Sequence, residues 1–370
     1  MSPKNVVELA QALVRIPSVN PDGDAGIANP GEKACAEFVG EWCAALGGEV
    51  EFHEVFPDRP NVVVRFPAST PGKKRLLLAP HTDTVSVVGM TIDPFSGELR
   101  EGKIWGRGAS DTKGPMAAML WALKESREIL PDLAYEIWFA GLMGEEAGLH
   151  GSRALAERMA FDFVIVGEPT DLQTVNSHKG QAWLSLKTTG KACHASQPER
   201  GENAIYKMTE VVAFIRSDIE PLLRQQTHPV LGHSTVSVGV LRGGSKTNIV
   251  PDFCEAQVDC RIVPGHSADA MLEKLQAKFP DLQIEAKRSD PLDTPADHPL
   301  VQLLGETGAP CAGAPWFCDA AAFAAKGIPG VALGPGSIQQ AHTADEWISV
   351  KDLEAGAEFF KNFLNRLALR

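Results

Sequence analysis

Apolar positions recur every three to four residues over 4–15 and again over 31–47, which predicts two amphipathic helices, the second stopped at Gly47-Gly48. The pattern then changes. EVEFHEVF (49–56), NVVVRF (61–66) and RLLLAP (75–80) are short β-branched or wholly apolar runs and read as strands covered on both faces. DPFSGELREGKIWGRG carries SG and EGK turn signals and reads as a hairpin. PMAAMLWALKESREIL (115–130) predicts a helix with Pro115 at its first position and an end before Pro131. The strand AYEIWFAG, the short helix ALAERMA and the strand DFVIVGEP (162–169) follow. Such alternation of strand and helix predicts an α/β architecture with a mostly parallel sheet.

A different pattern begins near residue 178. QAWLSLKTTG alternates as a strand, NAIYKMTEVVAFIRSDI has helical spacing, and STVSVGVLRGG and DFCEAQVDCRIV alternate again. SADAMLEKLQAKF and DLQIEAK then add a helix and a last strand. The order βαββαβ is that of a ferredoxin-like unit able to fold alone. After it the chain returns to the first pattern, including IPGVALGPG. Residues 1–177 and 290–370 are therefore expected to form one discontinuous domain, with 178–289 inserted into it. A chain of 370 residues exceeds what one core usually fills, in keeping with two domains.

Composition adds exclusions. With 44% hydrophobic and 22% charged residues the chain is globular in type, and its net charge of -12 argues against nucleic acid or an anionic membrane as partner. The start, MSPKNVVELAQALVRIPSVN, lacks the basic region and apolar core of a signal peptide, and no run approaches a membrane span, so a cytoplasmic location is expected. Seven cysteines without a CxxC pair are expected to be reduced, most of them acting as small buried hydrophobes.

Polar residues cluster where predicted strands of the first domain end. His81 and Asp83 follow RLLLAP, Asp111 lies in GRGASDTKG, Glu145 and Glu146 in GLMGEEAG, Glu168 in VGEPT and His342 in QQAHTADEW. The carboxyl ends of strands in an open α/β sheet share one edge, where ligands bind, so residues distant in sequence can converge there. Gathered together, so many carboxylates repel one another unless a cation sits among them. The mixed nitrogen and oxygen set suits Zn²⁺ and could accept Co²⁺ or Mn²⁺. Five ligands would accommodate two divalent ions about 3.5–4 Å apart with one carboxylate bridging, leaving a spare glutamate as general base. A solvated turn is the competing reading of the Glu145-Glu146 pair taken alone.

HTDTV (81–85), FSGELREGKIWGRGASDTKG (95–114), GEEAGLHGS (144–152), VGEPT (166–170), HASQPERGENAI (194–205) and LGPGSIQQAHTADEW (333–347) together resemble the co-catalytic zinc amidohydrolase family of acetylornithine deacetylase, succinyl-diaminopimelate desuccinylase and glutamate carboxypeptidase. The motifs occur in the family's order across almost the whole chain. The resemblance implies a zinc-binding α/β domain with an inserted lid through which a homodimer forms. It implies that His81 and Glu168 bind one ion, that Glu146 and His342 bind the other, and that Asp111 bridges both. Asp83 would orient the His81 ring and Glu145 would be the base that deprotonates the attacking water. His194, reaching the other subunit's site, would stabilise the oxyanion, a donor role worth about 10²- to 10³-fold in rate. Asn248 and Arg261 match positions that contact substrate, and Arg261 could grip a carboxylate bidentately. Gly334 and Gly336 would let the backbone approach the ligand.

Desuccinylases and carboxypeptidases of the family often carry a Thr/Ser-Asp-Ala/Gly-Arg segment whose Arg binds substrate carboxylate. The corresponding stretch here, WFCDAAAF (316–323), has Asp319 and no Arg. This difference, with SHKG (177–180) and GPGSIQQAH, favours release of a small acyl group from an N-acyl amino acid, as in acetylornithine deacetylase. A desuccinylase, a carboxypeptidase or a dipeptidase of the same family is the alternative. Two readings of other kinds are an inactive metal-bearing binding module and a cysteine hydrolase using Cys193 beside His194. The second is disfavoured because neighbours in a strand project to opposite faces.

Overall fold

The computed structural model describes residues 3–22, 31–225 and 227–368. It divides into two compact units, one of Met1–Asn176, Thr294–Ala312 and Cys318–Arg370, the other of Ser177–Asp293 and Gly313–Phe317.

The first unit opens with helices α1 (Val6–Val14) and α2 (Lys33–Ala45) and strands β1 (Glu49–Phe56), β2 (Arg59–Phe66) and β3 (Lys74–Pro80). A hairpin of β4 (Glu98–Arg100) and β5 (Lys103–Trp105) leads to α3 (Lys113–Glu125), then β6 (Tyr135–Gly141), α4 (His150–Arg158), β7 (Phe163–Gly167) and β8 (Thr174–His178). In the second unit β9 (Gly180–Thr189), β10 (Thr235–Gly243), β11 (Phe253–Ile262) and β12 (Gln283–Ser289) form an antiparallel sheet in the order β10-β11-β9-β12. Helices α5 (Ala204–Phe214) and α6 (Ala268–Lys278) complete its βαββαβ order. Leu184 and Leu186 of β9, Ala256 and Val258 of β11, Met208 of α5 and Leu275 of α6 share its core, as the alternating strands dictate. The chain re-enters the first unit with α7 (Pro299–Thr307), α8 (Ala320–Ala324), β13 (Gly330–Ala332), β14 (Trp347–Ser349) and α9 (Val350–Leu367).

The centre of the first unit's sheet is parallel: β6 pairs with β3, β3 with β7, and β7 with β13. Its flanks are antiparallel, with β1 on β2, β2 on β6, and β13 on β8. The run Leu76-Leu77-Leu78-Ala79 is buried on both faces of β3, as a central parallel strand requires. Each such leucine contributes roughly 1.5–3 kcal/mol. The expectation that β1 is covered on both faces fails. It is the edge strand, and Phe52 and Phe56 stand exposed.

Helix α3 is buried from Lys113 to Leu123 apart from the half-buried Trp121, and packs against α1 and α9. It begins at Lys113, so Pro115 occupies its third position instead of its first, still within the turn whose amides have no intrahelical acceptor. It also ends earlier than predicted, at Glu125, and Pro131 falls in a separate short 3₁₀ turn over Leu130–Asp132. All seven cysteines are free thiols, five of them buried. Among the described residues no helix is long and apolar enough to cross a membrane.

Candidate metal centre

Because β3, β6, β7 and β13 run parallel, the loops that follow them emerge on one edge of the sheet. His81 is the residue after β3, Glu168 the residue after β7, Glu145 and Glu146 follow β6, and His342 follows β13. Asp111 ends the turn before α3, and its peptide bond to Thr112 is cis.

One ligand atom each from His81, Asp111 and Glu168 lie within 4.8 Å of one another, and so do those of Asp111, Glu146 and His342. The two triads share Asp111. His81 Nε2 lies 3.0 Å from Asp111 Oδ1, while His342 Nε2 lies 3.3 Å from Asp111 Oδ2 and 3.0 Å from Glu146 Oε2. His342 adopts a left-handed backbone conformation, φ 60°, and is half exposed, whereas the other members of the two triads are buried or nearly so.

Asp83 is fully buried beneath these groups. Its carbonyl oxygen lies 3.0 Å and its Oδ1 3.4 Å from His81 Nδ1. The carboxylate also accepts the backbone amides of Glu145 and Glu146, each at 3.1 Å, and Asn20 Nδ2 at 2.7 Å. Asn61 secures the same loop from below, accepting from the Met143 amide at 2.9 Å and donating to Gly151 O at 2.8 Å. Gly144 and Gly148 take positive φ as the loop reverses.

The electrostatics are those of a site built for cations. Burial, together with the Asp111 charge, pushes Glu168 well above the ordinary carboxylate range and Glu146 up to about 7. Burial, with Glu168 and Glu146 nearby, also raises Glu145 well above that range. Asp111 goes the other way: although burial opposes it, hydrogen bonds with His342 and His81 hold its pKa low. Those to Asp111 and Glu146 lift His342 to about 10. Among the described residues the buried Oε1 of Glu168 has no hydrogen-bond partner. A buried carboxylate oxygen with no hydrogen-bond donor is costly, and a cation beside it would remove that cost. The donor set therefore fits divalent metal ions.

Asp319 was not assigned a role by sequence reasoning, yet it belongs to this cluster. It is fully buried, accepts a short hydrogen bond from Ser152 Oγ, has no partner for Oδ2 among the described residues, and is pushed up to about 7 by burial. Asn20, Asn61 and Glu346 were missed as well. Glu346 lies four residues beyond His342 in the HTADEW motif, and that proximity was the available signal; Asn20 and Asn61 had none.

Gly334 and Gly336 are buried, and neither position has room for a side chain. A Cβ on Gly334 would stand 2.6 Å from Glu168 O, and one on Gly336, at φ +86°, would stand 2.7 Å from Ser110 Oγ. In the second unit His194 pairs with Ile249 across a short antiparallel bridge, and the Ala195 amide donates to Asn248 O at 3.0 Å, so His194 and Asn248 are neighbours. Both are exposed. His194 Nδ1 lies 2.8 Å from Ser196 Oγ, while Cys193 Sγ lies 3.3 Å from Gln197 O, so neither engages the other as a nucleophile and base. Arg261 on β11 is partly buried and donates through Nε to Asp259 at 3.1 Å.

The family model described as peptidase family M20/M25/M40 matches residues 77–366. Acetylornithine deacetylase of Proteus mirabilis (strain HI4320) is 31% identical over 98% of this chain and 97% of its own. Acetylornithine deacetylase of Vibrio campbellii is 31% identical over 90% of each. Among solved structures, a metallo-carboxypeptidase of the M20 family from Sulfolobus solfataricus superposes with TM-score 0.79 at 19% identity over 100% of both chains. A Bacillus subtilis protein described as a dinuclear metal-binding peptidase of the same family gives 0.69 at 14% identity, over 98% of this chain and 97% of that one. With a family model spanning most of its length and relatives aligned nearly end to end, the chain is a metal-dependent hydrolase of amide bonds and belongs to peptidase family M20/M25/M40.

Proposed function

We propose that the protein removes the acetyl group from an N-acetyl amino acid, with zinc as the ion at both triads. The observation that carries this reading is the pair of ligand triads sharing Asp111, with Glu145 adjacent to the second triad's Glu146. His81, Asp111 and Glu168 would hold one ion, and Asp111, Glu146 and His342 the other. When bound, the ions supply Lewis acidity, polarising the amide carbonyl and acidifying the attacking water.

The chain's own residues do the rest. The raised proton affinity of Glu145 suits a carboxylate that takes the water's proton and returns it to the leaving amine nitrogen. Asp83 fixes the His81 ring through Nδ1, directing Nε2 toward Asp111, and by accepting both glutamate amides it fixes the loop from which the base projects. His194 would donate to the developing oxyanion from the second subunit of a homodimer, and Asn248 and Arg261 would bind the amino-acid half. Strand β10, at the edge of its sheet with Leu241 exposed, offers a pairing surface for such a dimer.

Acetyl is preferred to succinyl because 316–323 supplies no arginine for a second carboxylate. The relatives bearing the name acetylornithine deacetylase support the same choice. Amine release by zinc-loaded protein from N-acetylornithine, N-succinyl-diaminopimelate and a dipeptide panel tests it. Turnover of the acetyl substrate by at least tenfold over the others is expected; preference for the succinyl compound or a dipeptide would overturn it.

A further inference from the structure

Glu346 is fully buried, and its two oxygens accept four hydrogen bonds. Oε1 takes the backbone amides of Ser110 at 2.8 Å and Asp111 at 2.9 Å. Oε2 takes the Gly108 amide at 3.1 Å and Arg107 Nη1 at 2.9 Å. Three amides of one irregular turn thus converge on one side chain, and that turn ends at Asp111. The Gly106 amide also donates to the Glu346 carbonyl at 3.0 Å. Arg107 extends the arrangement, donating through Nη1 to Thr343 O at 3.1 Å and through Nε to Ser86 O at 2.9 Å.

Glu346 belongs to the segment that carries His342, while its carboxylate grips the turn that carries Asp111. We propose that Glu346 is a positioning residue that holds Asp111 and His342 at the separation the shared ion site needs. This inference rests on the metal-hydrolase reading above. A neutral amide could not substitute. The carbonyl end of a glutamine would accept from one pair of donors, but its NH₂ end would present hydrogens to the other pair, so two of the four bonds fail in either orientation. A buried carboxylate is also costly to desolvate, and four charge-assisted or backbone donors at one turn offset that cost only while the turn keeps this shape.

The test is Co²⁺ titration of chelator-stripped protein by calorimetry, with the cobalt visible spectrum recorded alongside, for wild type and Glu346→Gln. Wild type is expected to bind two ions. In Glu346→Gln the weaker-bound ion is expected to lose about 10- to 100-fold in affinity, the usual cost of losing a group that orients a ligand, with an altered cobalt spectrum. A folded Glu346→Gln that binds two ions with wild-type affinities and spectrum would overturn the proposal, even if it melts at a lower temperature. Should that variant fail to fold, Glu346→Asp keeps the charge but draws the carboxylate back by one methylene from the amides of Gly108, Ser110 and Asp111, and unchanged ion binding there overturns the proposal equally. A wild type that takes up no ion would defeat the metal reading itself, a result distinct from wild-type uptake of two ions without any effect of the substitution.

Discussion

Asp83 Oδ2 accepts the backbone amide of Glu146 at 3.1 Å, so the residue expected to orient the His81 ring of one triad also fixes the loop that bears Glu146 of the other. Oδ1 does the same for the Glu145 amide. Asp83→Asn would turn one acceptor oxygen into a donor facing an N–H. Loss of about 10- to 100-fold in activity or metal affinity is expected, measured as kcat and as ions bound per chain. Wild-type values for both would show that the amide contacts position nothing.

The two adjacent glutamates should separate cleanly by substitution. Glu145→Gln is expected to lower kcat by about 10²- to 10⁴-fold, the usual worth of a general base, while still binding two ions. Glu146→Gln is expected to lose an ion as well. Ion counts on the two purified variants check this, and substantial turnover by Glu145→Gln would remove it from the role of base.

Stability without metal should depend on pH in an unusual direction. Glu146 and Asp319 are each pushed up to about 7 by burial, from ordinary values of 4.5 and 3.8. A carboxyl group that holds its proton more tightly when folded stabilises the fold fully below its unfolded pKa and loses that contribution as pH rises through the folded value. His342, lifted to about 10 by Asp111 and Glu146, works in the same sense at higher pH. The Tm of chelator-treated protein should therefore fall as pH rises from about 5 to 8, and divalent ions should suppress the fall. A Tm that climbs across this range in the chelated protein would contradict the charge arrangement.

Much of the site was legible because its chemistry sits at strand ends. His81 and Glu168 adjoin wholly apolar runs, and a parallel sheet brings such ends together whatever their separation in sequence. The clamps beneath were not legible. Asn61 and Glu346 bond backbone amides and carbonyls of loops distant in sequence, Asn20 bonds the side chains of Asp83 and Arg59, and no periodicity encodes such contacts. The sheet was legible at its apolar centre and not at its edge, where the apolar residues of β1 suggested burial although that strand has a neighbour on only one side. Pro115 shows a similar limit: proline is tolerated anywhere in the first turn, so it marks a helix start only to within a few residues.

Gly334 is expected to be intolerant of even a methyl group. Its Cβ would press on Glu168 O at 2.6 Å and on the Pro115 ring at 2.8 Å, neither of which can swing aside. Gly334→Ala should destabilise by about 1–3 kcal/mol, the range for overpacking, and should weaken binding of the ion held by Glu168. Urea unfolding and ion titration of the variant measure both effects; a neutral substitution would mean that this turn has room to move.

Anomalous diffraction at the zinc edge from zinc-soaked crystals tests the central claim most directly. Two peaks are expected, one among His81, Asp111 and Glu168, the other among Asp111, Glu146 and His342, with Asp111 in contact with both. No peak at either triad, or a single ion that leaves His342 and Glu146 without a metal contact, would contradict it.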